Sequence, residues 1–354
     1  MTHFLKDILR QPAELRWTLD HLRGAGGASL SRAVEAVRKA RHVYLTGIGS
    51  SWHAALNVGA MFFAGGQPVY MQDASELVQF AAIPRDSVLI VISRSGRSVE
   101  IVNLAAKAVA AGATVIGVTN APEGDLAKTA QIPLVVPIAM DHAISVNTYC
   151  TLALAAGALA NSVAGHFTSS VADSLNKAFA ETAEVISNWQ QQVESSEWLA
   201  PHSTSYFLAR GSSLGSCYEA RLLWEEGVKS PATAMGSGSF RHGPQEIVTA
   251  DARFGVWIDA VEMREQDLAM ARDLRKLGAS VMLTGQNIPA DAGDLVFQLP
   301  AIPSPWQFLI DSIPTQLVAE RLARLSGVDS DTFRLCSYIV EDDGGLVGKE
   351  KGKA

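Results

Sequence analysis

Val43-Tyr44-Leu45-Thr46-Gly47-Ile48-Gly49-Ser50-Ser51-Trp52-His53 recurs in outline 162 residues later as Tyr206-Phe207-Leu208-Ala209-Arg210-Gly211-Ser212-Ser213. In each copy a short apolar run, the mark of a buried strand, leads into a glycine-serine turn. A helical pattern follows, Trp52 to Phe63 and Gly215 to Val228. A turn of this kind aims backbone N–H groups and small hydroxyls at an incoming anion. One structural unit used twice is the expectation.

Working outward, the first half alternates apolar runs (Val43–Leu45, Val69–Met71, Val88–Ile92, Val115–Val118, Leu134–Val136) with helical patterns (Trp52–Phe63, Ser75–Phe80, Ser98–Ala111, Asp125–Thr129). The second half repeats that order with runs at Tyr206–Leu208, Thr233–Met235, Phe254–Ile258, Val281–Leu283 and Val296–Leu299. Helices are expected there at Gly215–Val228, Met263–Leu277 and Trp306–Leu325. Strand-helix alternation predicts α/β architecture, a five-stranded parallel sheet in each half with helices on both faces. The expected division is a helical segment 1–30, a first domain 31–165, a connecting helix 166–200, a second domain 201–340 and a tail 341–354. The tail opens on Glu341-Asp342-Asp343-Gly344-Gly345 and becomes Lys-rich, either a mobile end or a flap ordered by ligand.

Composition narrows the function. A net charge of -7 over 354 residues argues against nucleic acid, whose binding relies on clustered Lys and Arg. The most apolar stretch, Thr151 to Gly165, is too short to span a bilayer and reads as a buried helix. Cys150, Cys217 and Cys336 are odd in number and lack metal-ligand spacing, which fits a reducing cytoplasm. No metal and no cofactor is expected, and the partner is a small anionic molecule met by a local positive site.

Ser93-Arg94-Ser95-Gly96-Arg97-Ser98 follows the run Val88–Ile92 and offers three hydroxyls at a helix start, with Arg94 and Arg97 adding charge for a dianion. Neither a Walker lysine nor a GxGxxG pattern is present, so a small phosphorylated metabolite fits better than a nucleotide. The same turn also fits a plain polar connection with an N-capping serine. Glu226 falls on the face of Leu222 and Leu223, whereas Glu225 sits beside Arg221. An inward carboxylate has its pKa raised by desolvation, as a general base near neutrality requires; a buried Glu satisfied by backbone donors fits equally. His242, in Arg241-His242-Gly243-Pro244 after the small-residue loop Gly236–Ser239, can transfer protons at cellular pH, although a lone loop histidine is more often a surface residue.

Together, Gly49-Ser50-Ser51-Trp52-His53-Ala54, Ser93–Ser98, Ser145, Glu226 and Arg241–Pro244 resemble the double SIS (sugar isomerase) domain family, among them the isomerase half of glucosamine-6-phosphate synthase and SIS-type phosphosugar deaminases and deglycases. The resemblance covers about residues 30 to 340. It implies two flavodoxin-like SIS subdomains and a 6-phosphosugar site, with Gly49 in the first turn, Ser51, Ser93, Arg94, Ser95 and Ser98 at the phosphate, and Ser50 and Ser145 near the sugar. Glu226 would move a proton between C1 and C2, and His242 would open the sugar ring from the neighbouring subunit of a homodimer.

Departures temper what is carried over. No glutaminase segment precedes the first unit, so no glutamine-derived ammonia source is expected within the chain. Leu223 stands where the synthase has a lysine one turn before its base, and Cys336 stands near its Schiff-base lysine. The second half has Asp259-Ala260-Val261-Glu262-Met263 in place of an S-x-S-G turn, so one phosphate site is expected, in the first half. The expected activity is deamination of glucosamine 6-phosphate to fructose 6-phosphate, or deglycation of a fructosamine 6-phosphate. A plain aldose–ketose isomerase is the near alternative. A sugar-phosphate sensor needs a DNA-binding domain, for which the N-terminal segment 1–30 is too short.

Overall fold

The computed structural model describes residues 1–200, 204–342 and 344–345. Most of the expected tail, 343 and 346–354, lies outside the described residues. Two helices open the chain, α1 (His3–Arg23) and α2 (Gly27–Lys39), followed by β1 (His42–Thr46), α3 (Ser50–Ala64), β2 (Tyr70–Met71), α4 (Ala74–Phe80), β3 (Ser87–Ser93), α5 (Val99–Ala110), β4 (Thr114–Thr119), α6 (Asp125–Thr129) and β5 (Ile132–Val135). The helices α7 (Asn147–Val163) and α8 (Ser169–Ser195) lead to the second half. That half runs β6 (Thr204–Ala209), α9 (Leu214–Leu223), β7 (Ala232–Gly236), α10 (Ser237–Phe240), β8 (Ala252–Trp257), α11 (Arg264–Lys276), β9 (Ser280–Gly285), β10 (Leu295–Gln298) and α12 (Ile313–Leu325).

Both sheets are five-stranded, in the orders β2-β1-β3-β4-β5 and β7-β6-β8-β9-β10, with every pairing parallel. The repeat is therefore topological as well as sequential. All residues of β3 and of β8 are buried, as continuous apolar runs require when helices cover both faces. Gly49 and Gly211 occupy the same place in the two units and share left-handed backbone, φ 57° and 53°, which glycine adopts without the steric cost of a Cβ.

A single apolar core passes from one half to the other, carrying Phe62, Leu154, Trp224, Phe297 and Trp306. At its centre α3 packs on α9 so closely that a Cβ on Gly215 would lie 2.1 Å from the His53 carbonyl oxygen. The alanine-rich α7 is buried over nearly its whole length and packs against α1 and α3. Among the described residues, no helix is long and apolar enough to cross a membrane.

One expected helix is broken. Trp306–Leu325 divides into a tight turn, Ser304–Leu309, and α12, because Pro314 in the first turn of α12 has no N–H to continue the ladder backwards. Asp311 sits in the break, fully buried, where its carboxylate accepts a 2.6 Å bond from Ser213 Oγ.

Candidate active site

The turns after β1 and β3 meet at the carboxyl ends of neighbouring parallel strands, where α/β sheets place their ligands. There Gly49, Ser50, Ser51, Ser93, Arg94, Ser95, Ser98 and Ser145 line one cavity of about 220 Å3, and Glu226 and Leu222 enter it from the second half. Nine of the ten residues that the resemblance assigned to the site thus converge on one space, whereas Arg97, expected to add charge there, does not line it. His242 does not line it; it is exposed in the turn after α10. A larger open cleft of about 1480 Å3, beside Trp198 and Arg253, contains none of the ten, and its size reflects open solvent between surface elements rather than convergent chemistry.

The β3–α5 turn is organised by its own hydroxyls. Ser93 Oγ accepts from the Gly96 N–H at 3.1 Å, and Ser95 Oγ accepts from the Arg97 N–H at 3.2 Å. Ser98 begins α5 without a side-chain capping bond. The Arg94 guanidinium donates to the carbonyl oxygens of Ala143 (3.2 Å) and Tyr338 (2.7 Å), which uses two of its five N–H groups. Arg97 pairs with Glu341 at 3.7 Å rather than with Glu100, three residues on. Glu100 instead lines the cavity.

Ser145 is held by a buried carboxylate. Asp141 accepts from the N–H groups of Val146, Asn147 and Thr148, from Asn147 Nδ2 and from Thr148 Oγ1, and Thr148 Oγ1 lies 2.7 Å from Ser145 Oγ. The acceptor caps α7 and satisfies the N–H groups that a helix start leaves unpaired.

Glu226 stands in a wide π-helical turn, Trp224–Val228, that continues α9. Trp224 anchors this turn: it is buried, edge-on to Phe207 at 4.7 Å, and its Nε1 donates to Ser205 Oγ at 3.1 Å. Truncating such a residue costs about 3–5 kcal/mol, so the frame that carries Glu226 is firmly held. Lys229 ends the turn in left-handed backbone, φ 58°, and its Nζ donates to the main-chain oxygens of Glu226 and Thr332. Burial first, then the like charge of Glu219, pushes the Glu226 carboxyl from its ordinary 4.5 up to about 7, against the opposing pull of Arg94 and Lys229.

Sequence reasoning missed two parts of the site. The segment Phe333–Val340 crosses the first half and closes the cavity, with the Val340 oxygen accepting from the Val99 N–H at 3.0 Å. Nothing local in that segment signals a partner some 240 residues away. The second omission is Glu219, buried on α9. Its oxygens accept from Ser50 Oγ at 2.9 Å and from His53 Nδ1 at 2.7 Å. A helical wheel could have found it, since Glu219 and Glu226 lie seven residues, two turns, apart.

Two α/β units of the same topology, the first with hydroxyl-rich turns that converge on one cavity, make up the chain, and residues 36–161 match the family model described as SIS domain. That match lies over the first half, and the two parallel sheets are consistent with two SIS subdomains. It is 24% identical over 352 residues to the glutamine–fructose-6-phosphate aminotransferase (isomerizing) of Pseudomonas aeruginosa, with 94% of this chain covered and 57% of that protein. The chain thus spans little more than half of that relative's length. The solved C-terminal domain of glucosamine-fructose-6-phosphate aminotransferase from Francisella tularensis shares the fold at TM-score 0.83 and 20% identity, covering 94% of this chain and 98% of that one. The glucosamine-6-phosphate deaminase of Thermotoga maritima does so at TM-score 0.78 and 20% identity, covering 96% and 99%. The tagatose-6-phosphate ketose/aldose isomerase of Escherichia coli follows at 0.80 and 18%, covering 99% and 97%.

Proposed function

We propose that this protein is an enzyme of the SIS type, a phosphosugar isomerase that acts on an amino sugar 6-phosphate and releases its amine. The observation that carries the reading is Glu226, a carboxyl raised to about 7 and facing a hydroxyl-lined cavity. A binding module has no use for a proton carrier poised at cellular pH. No lysine lines the cavity among the described residues, and Leu223 is buried in the core, which favours proton transfer over Schiff-base chemistry from the cavity wall.

In this reading Ser51, Ser93, Ser95 and Ser98 hold the 6-phosphate beside the remaining donors of Arg94, and Gly49 lets the turn approach closely. Ser50 and Ser145 bond the sugar hydroxyls. With glucosamine 6-phosphate in open-chain form, Glu226 removes the C2 proton to give an enolamine and returns a proton to C1. Water then adds to the C2 imine, and ammonia leaves as fructose 6-phosphate forms. The remote phosphate contributes by positioning C1 and C2 against the carboxyl. Names of relatives that include an aminotransferase, a deaminase and a ketose/aldose isomerase support this chemistry at the level of phosphosugar isomerisation.

His242, exposed and outside its own cavity, would open the sugar ring in the cavity of a second copy. The deciding assay is release of ammonia and fructose 6-phosphate from glucosamine 6-phosphate, with Glu226→Gln alongside. Release that disappears in the variant supports the reading. Absence of release with tight 6-phosphosugar binding refutes the deaminase and turns the search to fructosamine 6-phosphates. For the shared site, mixed Glu226→Gln and His242→Asn subunits should regain activity that neither homo-oligomer has; no recovery overturns that part.

A further inference from the structure

Beneath the cavity lies a buried polar pair that the proposed chemistry does not itself use. Glu219 and His53, on α9 and α3, are both almost completely buried, and they join the two halves where those helices pack most closely. One Glu219 oxygen takes the Ser50 hydroxyl and the other lies 2.7 Å from His53 Nδ1. Ser50 lines the cavity, so the pair touches the site through that hydroxyl. It also touches the site through its field, because Glu219 and Glu226 project from the same helix two turns apart.

We propose that the His53–Glu219 pair is a positioning element of the site, which fixes the Ser50 hydroxyl and sets the electrostatic field in which Glu226 exchanges its proton. Two requirements meet there. Burial and, after it, a negative neighbour keep Glu226 protonatable near neutrality, and that neighbour needs a partner, since a lone carboxylate in this interior would be costly. His53 is that partner. Leu223, one turn further along the helix, is an apolar core residue, and His53 from the opposite half is the nitrogen that faces Glu219. The charge at the base then depends on the contact between the halves rather than on one helix.

The groups facing Glu226 are Glu219 and Glu225 on its own helix, Arg94 from the β3–α5 turn, Lys229 at the helix end and the Cys336 thiol of the closing segment. Those facing the pair are Ser50, Tyr149 on α7, which feels the Glu219 charge, and Tyr218, whose ring centroid is 6.0 Å from that of His53. Neither Glu219 nor His53 itself lines the cavity.

The catalytic meaning of the pair rests on the isomerase reading, but its effect on Glu226 can be read without substrate. The experiment is a 13C NMR titration of the full chain labelled at glutamate Cδ, with the Glu226 signal assigned by Glu226→Gln. In Glu219→Gln the Glu226 midpoint should fall by about half a unit or more, because a like charge is removed. In His53→Asn it should move by about as much, because Glu219 loses the group that holds it. Midpoints within about 0.2 unit of wild type in both folded variants would overturn the proposal. Loss of the cooperative melt in both would overturn it too, by assigning the pair a purely structural role. If one variant fails to fold, the other decides. A shifted midpoint in a protein that releases no ammonia would leave the pair standing and refute only the reading of the reaction.

Discussion

The two halves build the same strand-to-helix turn and fill it with opposite chemistry. In the first, Ser95 stands two residues beyond β3 and its hydroxyl accepts the N–H of the residue two further on, Arg97. In the second, Asp259 stands two residues beyond β8 and its carboxylate accepts the N–H of Val261, again two further on, and that of Met263. The Asp259 N–H donates to Asp267, whose other oxygen takes Arg210 Nε at 2.7 Å. Where one unit presents neutral hydroxyls in this turn, its copy places a carboxylate of its own chain. A helix start needs negative charge near it, and either a ligand or a side chain can provide that.

The largest effect expected is at Glu226, the proposed proton carrier that enters the cavity from the second half. Glu226→Gln should lower turnover by about 1,000-fold while leaving phosphosugar affinity within a few-fold, measured by steady-state kinetics and calorimetric binding. Unchanged turnover would detach the second half from the chemistry. Next, Arg210→Met would strand Asp267 as a buried carboxylate without its guanidinium, and should destabilise the protein by about 3 kcal/mol in denaturant melts. A neutral result would mean that the internal anion needs no partner and would break the comparison.

Ser95→Asp writes the second turn into the first. It should weaken 6-phosphosugar binding by about 100-fold, since a fixed carboxylate then occupies the place of the phosphate. The melting temperature should change little. Retained affinity would move the phosphate elsewhere in the cavity.

The smallest effect is a pH dependence of stability. The Glu226 carboxyl is raised in the folded state, to about 7 from 4.5, so the native chain holds this proton more tightly than the unfolded chain. Its contribution to stability therefore declines as pH rises from about 4.5 to about 7, and is flat above. Glu226→Gln should be more stable than wild type by ~2 kcal/mol at pH 8, a figure reduced for partial solvent screening, and close to wild type at pH 4. Equal stability at both ends of the window would show that the carboxyl is solvated.

Much of this was legible because it is local or periodic. Strand runs such as Val88–Ile92 report burial on both faces, and Asp125–Thr129 was placed residue for residue as α6. The hydroxyl turn and the inward face of Glu226 follow from spacing along one strand or one helix. The break before Pro314 could have been read from that proline, but the apolar periodicity through Trp306–Leu325 concealed it. The roles of Arg94 and Arg97 were less legible, since both are long side chains whose partners, Tyr338 and Glu341, come from the far end of the chain.

By itself, then, the sequence determined the doubled α/β order, the location of the hydroxyl turns and the inward side of the helical stretch that carries Glu226, because each depends on contacts within a few residues. Only the tertiary structure decided that Phe333–Val340 closes the cavity, that Asp259 and Asp267 fill the second cradle, and that His53 meets Glu219 across the two halves. Those arrangements join residues tens to hundreds of positions apart. Their partners are selected by burial and charge once the halves have packed, and no local pattern encodes that choice.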